Sequence, residues 1–196
     1  MKRVTRTPTA DVESAILDSA QQLLATEGPE ALSIRRIAAA AGVAPMSVYN
    51  RFEGKHGVVE ALFLQGFKRL QGEFASVAAS DVMDGLDECG HRYRALAHAH
   101  PGSYAVMFDR VIPEFEPSER CVQQASASFT ELVALVERGQ REGRVIDGEA
   151  IDIAQQIWET VHGAVSLELR GMGFVDGRDA HFVRLLAMIR RAISRT

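Results

Sequence analysis

Cysteine is scarce: the 196 residues hold two, Cys89 and Cys121. Two thiols cannot frame a disulfide-stapled fold, so the expected setting is reducing and cytoplasmic. Long apolar runs are missing as well. No stretch reaches ~18 uncharged apolar residues, which excludes a membrane-spanning helix. Met1 to Thr9 carries basic residues with no apolar run behind them, unlike a secretory signal. The histidines include no His-x3-His pair and the cysteines no Cys-x2-Cys pair, and no glycine loop follows a strand to cradle a phosphate. Glu114 and Glu116 flank Phe115 in a loop and read as a solvated pair, not an acid/base couple. The expectation is no metal, no cofactor and no enzyme. Strand-like alternation is rare, and no Asn-Gly or Asp-Gly turn joins two β-branched runs.

What is present is helical period. A composition of 46% apolar and 24% charged residues is that of a globular chain and argues against wholesale disorder. The first helix is expected from about Asp11 to Glu27, with Val12, Ile16, Ala20, Leu23 and Leu24 on one face and Gly28-Pro29 as its stop. A short second helix starts after Ser33, whose hydroxyl can accept a free first-turn N–H, and ends at Gly42. A third runs from Pro45 to Arg51, with proline at an allowed first-turn position. The fourth, Lys55 to Ala79, is striped by Val59, Leu62, Phe63, Phe67, Leu70, Phe74 and Val77. Further helices are expected from Asp81 to His100, with Pro101-Gly102 as a break, and then over Tyr104 to Val111, Ser118 to Glu142, Asp147 to Arg170 and Asp176 to Ser194. The fold class is all-α with about nine helices. A three-helix N-terminal domain takes residues 1–54 and a larger helical domain residues 55–196.

The net charge is −4, from 22 basic against 26 acidic residues. The charge is uneven, however. Lys2, Arg3 and Arg6 meet no acid in the first ten residues. Arg35, Arg36, Arg51 and Lys55 meet only Glu53 across residues 31–59. Basic patches on an acidic body fit a small DNA-contacting module. The same region reads as two short helices crossing at a tight turn. Ala38 is small where the helices approach, and Gly42 sits at the corner, where a positive φ is cheap only for glycine. Ile37, Val43, Val48 and Phe52 face a third helix. Ala44, Pro45, Met46, Ser47, Tyr49, Asn50 and Arg51 remain to be displayed. This is a helix-turn-helix whose second helix fits a major groove.

Residues 10–65, with "ATEGPEALSIRRIAAAAGVAPMSVYNRFEGKHGVVEAL" and Tyr49, Phe52 and Lys55 at matching spacing, resemble the DNA-binding domain of the tetracycline-repressor (TetR/AcrR) family of transcriptional regulators. The later stretch "IWETVHGAVSLEL" resembles a subgroup with a Trp-x3-His-Gly signature, here Trp158, His162 and Gly163. The resemblance implies that Ser33 and Arg35 or Arg36 lie near phosphate, that Ala44 to Ser47 enter the major groove, that Tyr49 and Asn50 follow its wall, and that Lys55 meets the opposite backbone. Two positions depart from the family pattern. Met46 stands where many members carry glycine; it either contacts a thymine methyl or tilts the helix. Arg51 stands where histidine is frequent, and adds a phosphate contact or reads guanine. Tyr49 is open between groove wall and core aromatic, and Phe52 reads as core. The N-terminal arm either reaches DNA or stays a solvated tail.

The resemblance further implies that residues 55–196 bind an effector and dimerise. The eighth helix is apolar almost all round, which requires burial on more than one side. Ile157, Val161 and Val165, with Phe182, Leu185, Leu186 and Ile189 of the ninth helix, are the expected dimer interface. A pocket for a small, largely apolar effector is expected between the fourth to eighth helices, lined by Phe63, Phe67, Tyr104, Met107, Phe108, Phe129, Trp158 and His162. The expected partners are double-stranded DNA carrying a pseudo-palindromic operator, the effector and a second copy of the chain, with no membrane. The functional expectation is a homodimeric repressor. The alternatives are an activator of the same fold, or an all-α ligand-binding protein that has lost DNA binding.

Overall fold

The structure is a computed structural model that describes residues 9–109 and 112–195. Among these residues there are nine α-helices, one 3-10 turn at Pro29–Ala31 and a single isolated bridge, Val145 to Ser194. The helices are α1 Thr9–Glu27, α2 Ile34–Ala40, α3 Pro45–Phe52, α4 Lys55–Ala75, α5 Val82–Ala99, α6 Pro101–Phe108, α7 Glu119–Arg141, α8 Ala150–Leu169 and α9 Arg178–Ile193. The all-α expectation holds.

Several boundaries depart from the sequence reading by two to four residues, two of them for plain local reasons. Helix α4 ends at Ala75, four residues early. The Val77 N–H donates to the Phe74 carbonyl, three residues back, and the Ser76 hydroxyl donates to the Glu73 carbonyl. These bonds tighten the last turn and stop the helix. Helix α6 begins at Pro101, within the pair read as a break. A first-turn residue has no intrahelical use for its N–H, so proline starts this helix as readily as it ends another. The start of α5 follows the expectation: the Asp81 carboxylate accepts from the N–H groups of Met83 (2.8 Å) and Asp84 (3.4 Å). Those bonds, the Met83 one foremost, hold the Asp81 carboxyl below its ordinary pKa.

The chain divides into two compact units. The first takes the described residues up to Gly66 together with His100–Val122. Its core includes Ile16, Ala20, Ile37, Val48, Val58 and Leu62. Helix α6 lies close on α1 because residue 102 has no side chain: a Cβ there would come within 2.9 Å of the Gln21 carbonyl oxygen. The Gln21 side-chain amide donates to Gln65 at 2.9 Å, tying α1 to α4.

The second unit takes Phe67–Ala99 and Gln123 onward. Val82, Met83, Tyr93, Val136, Ala154 and Val165 are among its buried side chains. Arg94 on α5 joins three helices. It donates to Glu168 on α8 (2.8 and 2.6 Å) and to Asp179 on α9 (2.7 Å), and its guanidinium lies 5.0 Å from the Phe182 ring centroid. The Arg94 hydrogen bonds, helped by His98 at 3.3 Å, pull the Glu168 carboxyl down to about 2 against the opposing effect of burial. Among the described residues, no helix is long and apolar enough to cross a membrane.

Candidate nucleic-acid interface

The interface is built from α2, the turn after it, α3 and the start of α4. Ser33 caps α2: its Oγ accepts from the Arg36 N–H at 3.4 Å. The turn carries Gly42 at φ 66°, a left-handed conformation that costs a Cβ-bearing residue energy. Pro45 is the first residue of α3, and Ala44 before it makes no side-chain cap. Val48 is fully buried and anchors α3 to the head, so the opposite side of the helix faces outward. Met46 is 65% exposed and Tyr49 51% exposed. Asn50, Ala44 and Pro45 are exposed too. The structure therefore places Tyr49 outward and leaves Phe52 half-buried, where a core position was expected.

The basic residues are not equivalent. Arg35 is exposed and Lys55 half-buried at the first position of α4. Arg36 donates from Nη2 to both carboxylate oxygens of Glu27 (2.6 and 2.5 Å). Both partners are well exposed, so the pair contributes about 0–1 kcal/mol and yields readily to a phosphate. Arg51 folds back along its own helix, where Nη1 donates to the Ser47 carbonyl at 3.3 Å, and Nε is buried without a partner. A half-buried arginine spent on its own helix is poorly set to read a guanine, whatever its spacing suggests.

Two contributors were not singled out from sequence. Glu27 became a partner of Arg36 only when α1 and α2 were packed. Gly57 sits where a Cβ would land on the carbonyl oxygen of Phe52, so the close seating of α4 against the end of α3 requires glycine there. The signal for Gly57 was a glycine inside an otherwise strong helix pattern.

The eight expected effector-lining residues divide between the units. In the first, Phe63, Met107 and Phe108 line a cavity of about 270 Å³, with Val59, Val106, Ile112 and Phe115 and the acids Asp109 and Glu116. Tyr104 packs on Phe108 at 4.9 Å between ring centroids. In the second unit, Trp158 packs on Phe129 (6.2 Å) and on His162 (5.3 Å), and the Tyr93 hydroxyl meets His162 Nδ1 at 2.7 Å. Trp158 borders a crevice of only about 20 Å³, roughly the room of one water. Phe67 is buried in the same unit.

The residues expected at the dimer interface lie largely against their own chain. Ile157, Val161, Val165, Phe182 and Leu186 are buried within the chain itself, and Leu185 and Ile189 are half-buried. The most regular apolar stripe of a helix packs on its own core, while Leu185 and Ile189 keep part of their surface open. Ten large apolar side chains are exposed among the described residues, and seven of them lie on α8, α9 and their loop: Ile151, Leu167, Met172, Phe174, Val175, Val183 and Met188. Phe174 is 98% exposed.

The remaining chemistry is quiet. Among the described residues, no group of three or more His, Cys, Asp or Glu could hold a metal ion. Burial pushes the Cys89 thiol up to about 12, which makes it a poor nucleophile and redox sensor. Lys2, Arg3 and Arg6 lie outside the described residues.

Comparison with known proteins adds a class to this geometry. Residues 16–62 match the bacterial regulatory proteins of the tetR family, and residues 86–189 match the tetracyclin repressor-like C-terminal domain. An uncharacterized HTH-type transcriptional regulator of Mycobacterium tuberculosis, Rv0681, is 26% identical over 197 residues, covering 100% of this chain and 87% of its own length. A protein of unknown function from Rhodococcus sp. RHA1 superposes with a TM-score of 0.85 at 23% identity, over 99% of this chain and 100% of its own. A TetR family transcription regulator from Marinobacter aquaeolei VT8 does so with a TM-score of 0.75 at 19% identity, over 95% and 97%. Together, family models and fold define a helix-turn-helix transcription regulator, a class of DNA-binding proteins and not of enzymes. This chain belongs to the tetR family of bacterial regulatory proteins.

Proposed function

We propose that the chain is a cytoplasmic homodimeric repressor that leaves a pseudo-palindromic operator when it binds a small, largely apolar effector. The observation that carries this reading is α3: one side is locked by the buried Val48, and Met46, Tyr49 and Asn50 stand out on the other. Arg35, Arg36 and Lys55 supply phosphate contacts on either side of it, with Ser33 at the N-terminus of α2. Residues 1–54 are the DNA reader and residues 55–196 the effector-binding and dimerising part. Two heads would dock in successive major grooves about 34–36 Å apart.

The exposed apolar residues of α8, α9 and their loop support the dimer, because uncovered apolar side chains gathered on neighbouring elements suit an interaction surface. The aromatic cavity beside α4 and α6 supports the effector role. Trp158, His162 and Gly163 support a likeness to the subgroup with that signature, and the Trp158 and His162 rings pack in a tilted arrangement 5.3 Å apart. An effector acts only through a difference in affinity between the DNA-competent and incompetent states.

The test is selection of bound fragments from genomic DNA of the source at low salt, with Arg36→Ala in parallel. Recovery of an inverted repeat by the native protein, weakened in the variant, is expected. Recovery of none by a folded dimer would overturn the reading.

A further inference from the structure

The tip of α3 carries almost nothing that can form a side-chain hydrogen bond. Ala44 and Pro45 are exposed and have no polar side-chain atom, and proline also lacks an N–H. Met46 follows, 65% exposed on the second position of the helix. Ser47 is half-buried. Amide chemistry begins a full turn later, at Asn50. The first residues of a recognition helix are the ones that reach base edges. In the major groove they meet hydrogen-bonding groups at every base pair and one apolar group, the thymine C5 methyl. The alanine and proline side chains can satisfy none of the hydrogen-bonding groups, the methionine thioether is only a weak acceptor, and all three can cover the methyl. Apart from Tyr49, one turn further along the same helix, and Val122 on α7, no other large apolar side chain of the first unit is exposed among the described residues. An unbranched, polarizable thioether side chain fits an apolar partner of irregular shape.

We infer that Met46 reads thymine through its C5 methyl group, and that the operator half-site carries a thymine required for that methyl and not only for its pairing. This inference rests on the DNA-reading role proposed above and names what the tip of the helix recognises.

The test leaves the protein untouched. Duplexes recovered by the selection are remade with deoxyuridine for thymine, which deletes the methyl and keeps the base pair. Single replacements then locate the position. Removing one methyl from a buried apolar contact should weaken binding by about fourfold per half-site, and by about tenfold or more for a palindrome. Met46→Ala should bind the thymine duplex more weakly and show a thymine-to-deoxyuridine ratio near one, whereas Met46→Leu should keep much of the preference. Met46 is exposed, so these variants should fold as the native chain does, which circular dichroism checks. Equal affinity of the native protein for both duplexes overturns the inference alone, as does an undiminished ratio in Met46→Ala. Failure to retain any fragment overturns it together with the DNA-reading role on which it rests.

Discussion

Two side-chain pairs carry predictions that depend on which partner is removed. Arg36 is held by Glu27 in a solvent-facing pair, so the pair itself adds little stability. Its consequence is competition: a DNA phosphate must take Arg36 from Glu27. Arg36→Ala should weaken binding to all sequences and lower the slope of log affinity against log salt by about one per lost phosphate contact. Glu27→Gln should raise affinity by up to about fivefold at low salt, an advantage that fades at high salt as screening grows. An unchanged salt slope in Arg36→Ala would remove Arg36 from the interface. Glu168 makes the second case. Its carboxyl is lowered from 4.5 to about 2, chiefly by Arg94. A depressed folded-state value means that the stabilisation is fully present above about pH 4.5 and is lost as pH falls toward 2. Glu168→Gln should therefore flatten the acid limb of an unfolding titration in that window, and an acid limb as steep as the native one would show that other groups drive the loss. The identities of Arg36 and Glu168 were visible in the chain; their partners, 9 and 74 residues away, were not.

Among the elements, helix α4 makes the sharpest case. Its apolar stripe marked it as a long helix starting at about Lys55. Where it sits was not legible. Gly57 permits the first turn of α4 to lie against the Phe52 carbonyl. Gly57→Ala would ordinarily favour a helix by about 0.5–1 kcal/mol. Here the added methyl meets backbone that cannot rotate away, so the sign should reverse, with a lower melting temperature and weaker operator binding. A stabilised Gly57→Ala protein with native DNA affinity would show that α3 and α4 are not seated this closely. The late start expected for α6 failed on the same kind of ground: Pro101 punctuates the chain, but only the packed structure shows which helix it serves.

For the whole molecule, the question is what covers the apolar residues that α8, α9 and their loop leave exposed. A second copy is the occupant under the proposed function. Val183→Glu with Met188→Glu changes two exposed positions, so the monomer fold should survive. Sedimentation should then give the mass of one chain, and operator affinity should fall by about a hundredfold or more as two linked half-sites become independent. A dimer that persists with native affinity would move the interface elsewhere. Ile157→Ala makes the contrast: it empties core, so it should cost about 2–5 kcal/mol of stability with no direct effect on assembly.

Helix periodicity, capping residues and the spacing of Ala38, Gly42 and Val48 determined the class of fold and the reading head from sequence alone. These are local signals, set by residues three or four apart and by what each backbone position tolerates. The tertiary structure decided which apolar stripe is core and which residues stay exposed, that Arg51 turns back on its own helix and that Arg36 is shared with Glu27. Those outcomes depend on contacts between residues distant in the chain, and a period of 3.6 marks an apolar face without saying whether its own chain or another will bury it.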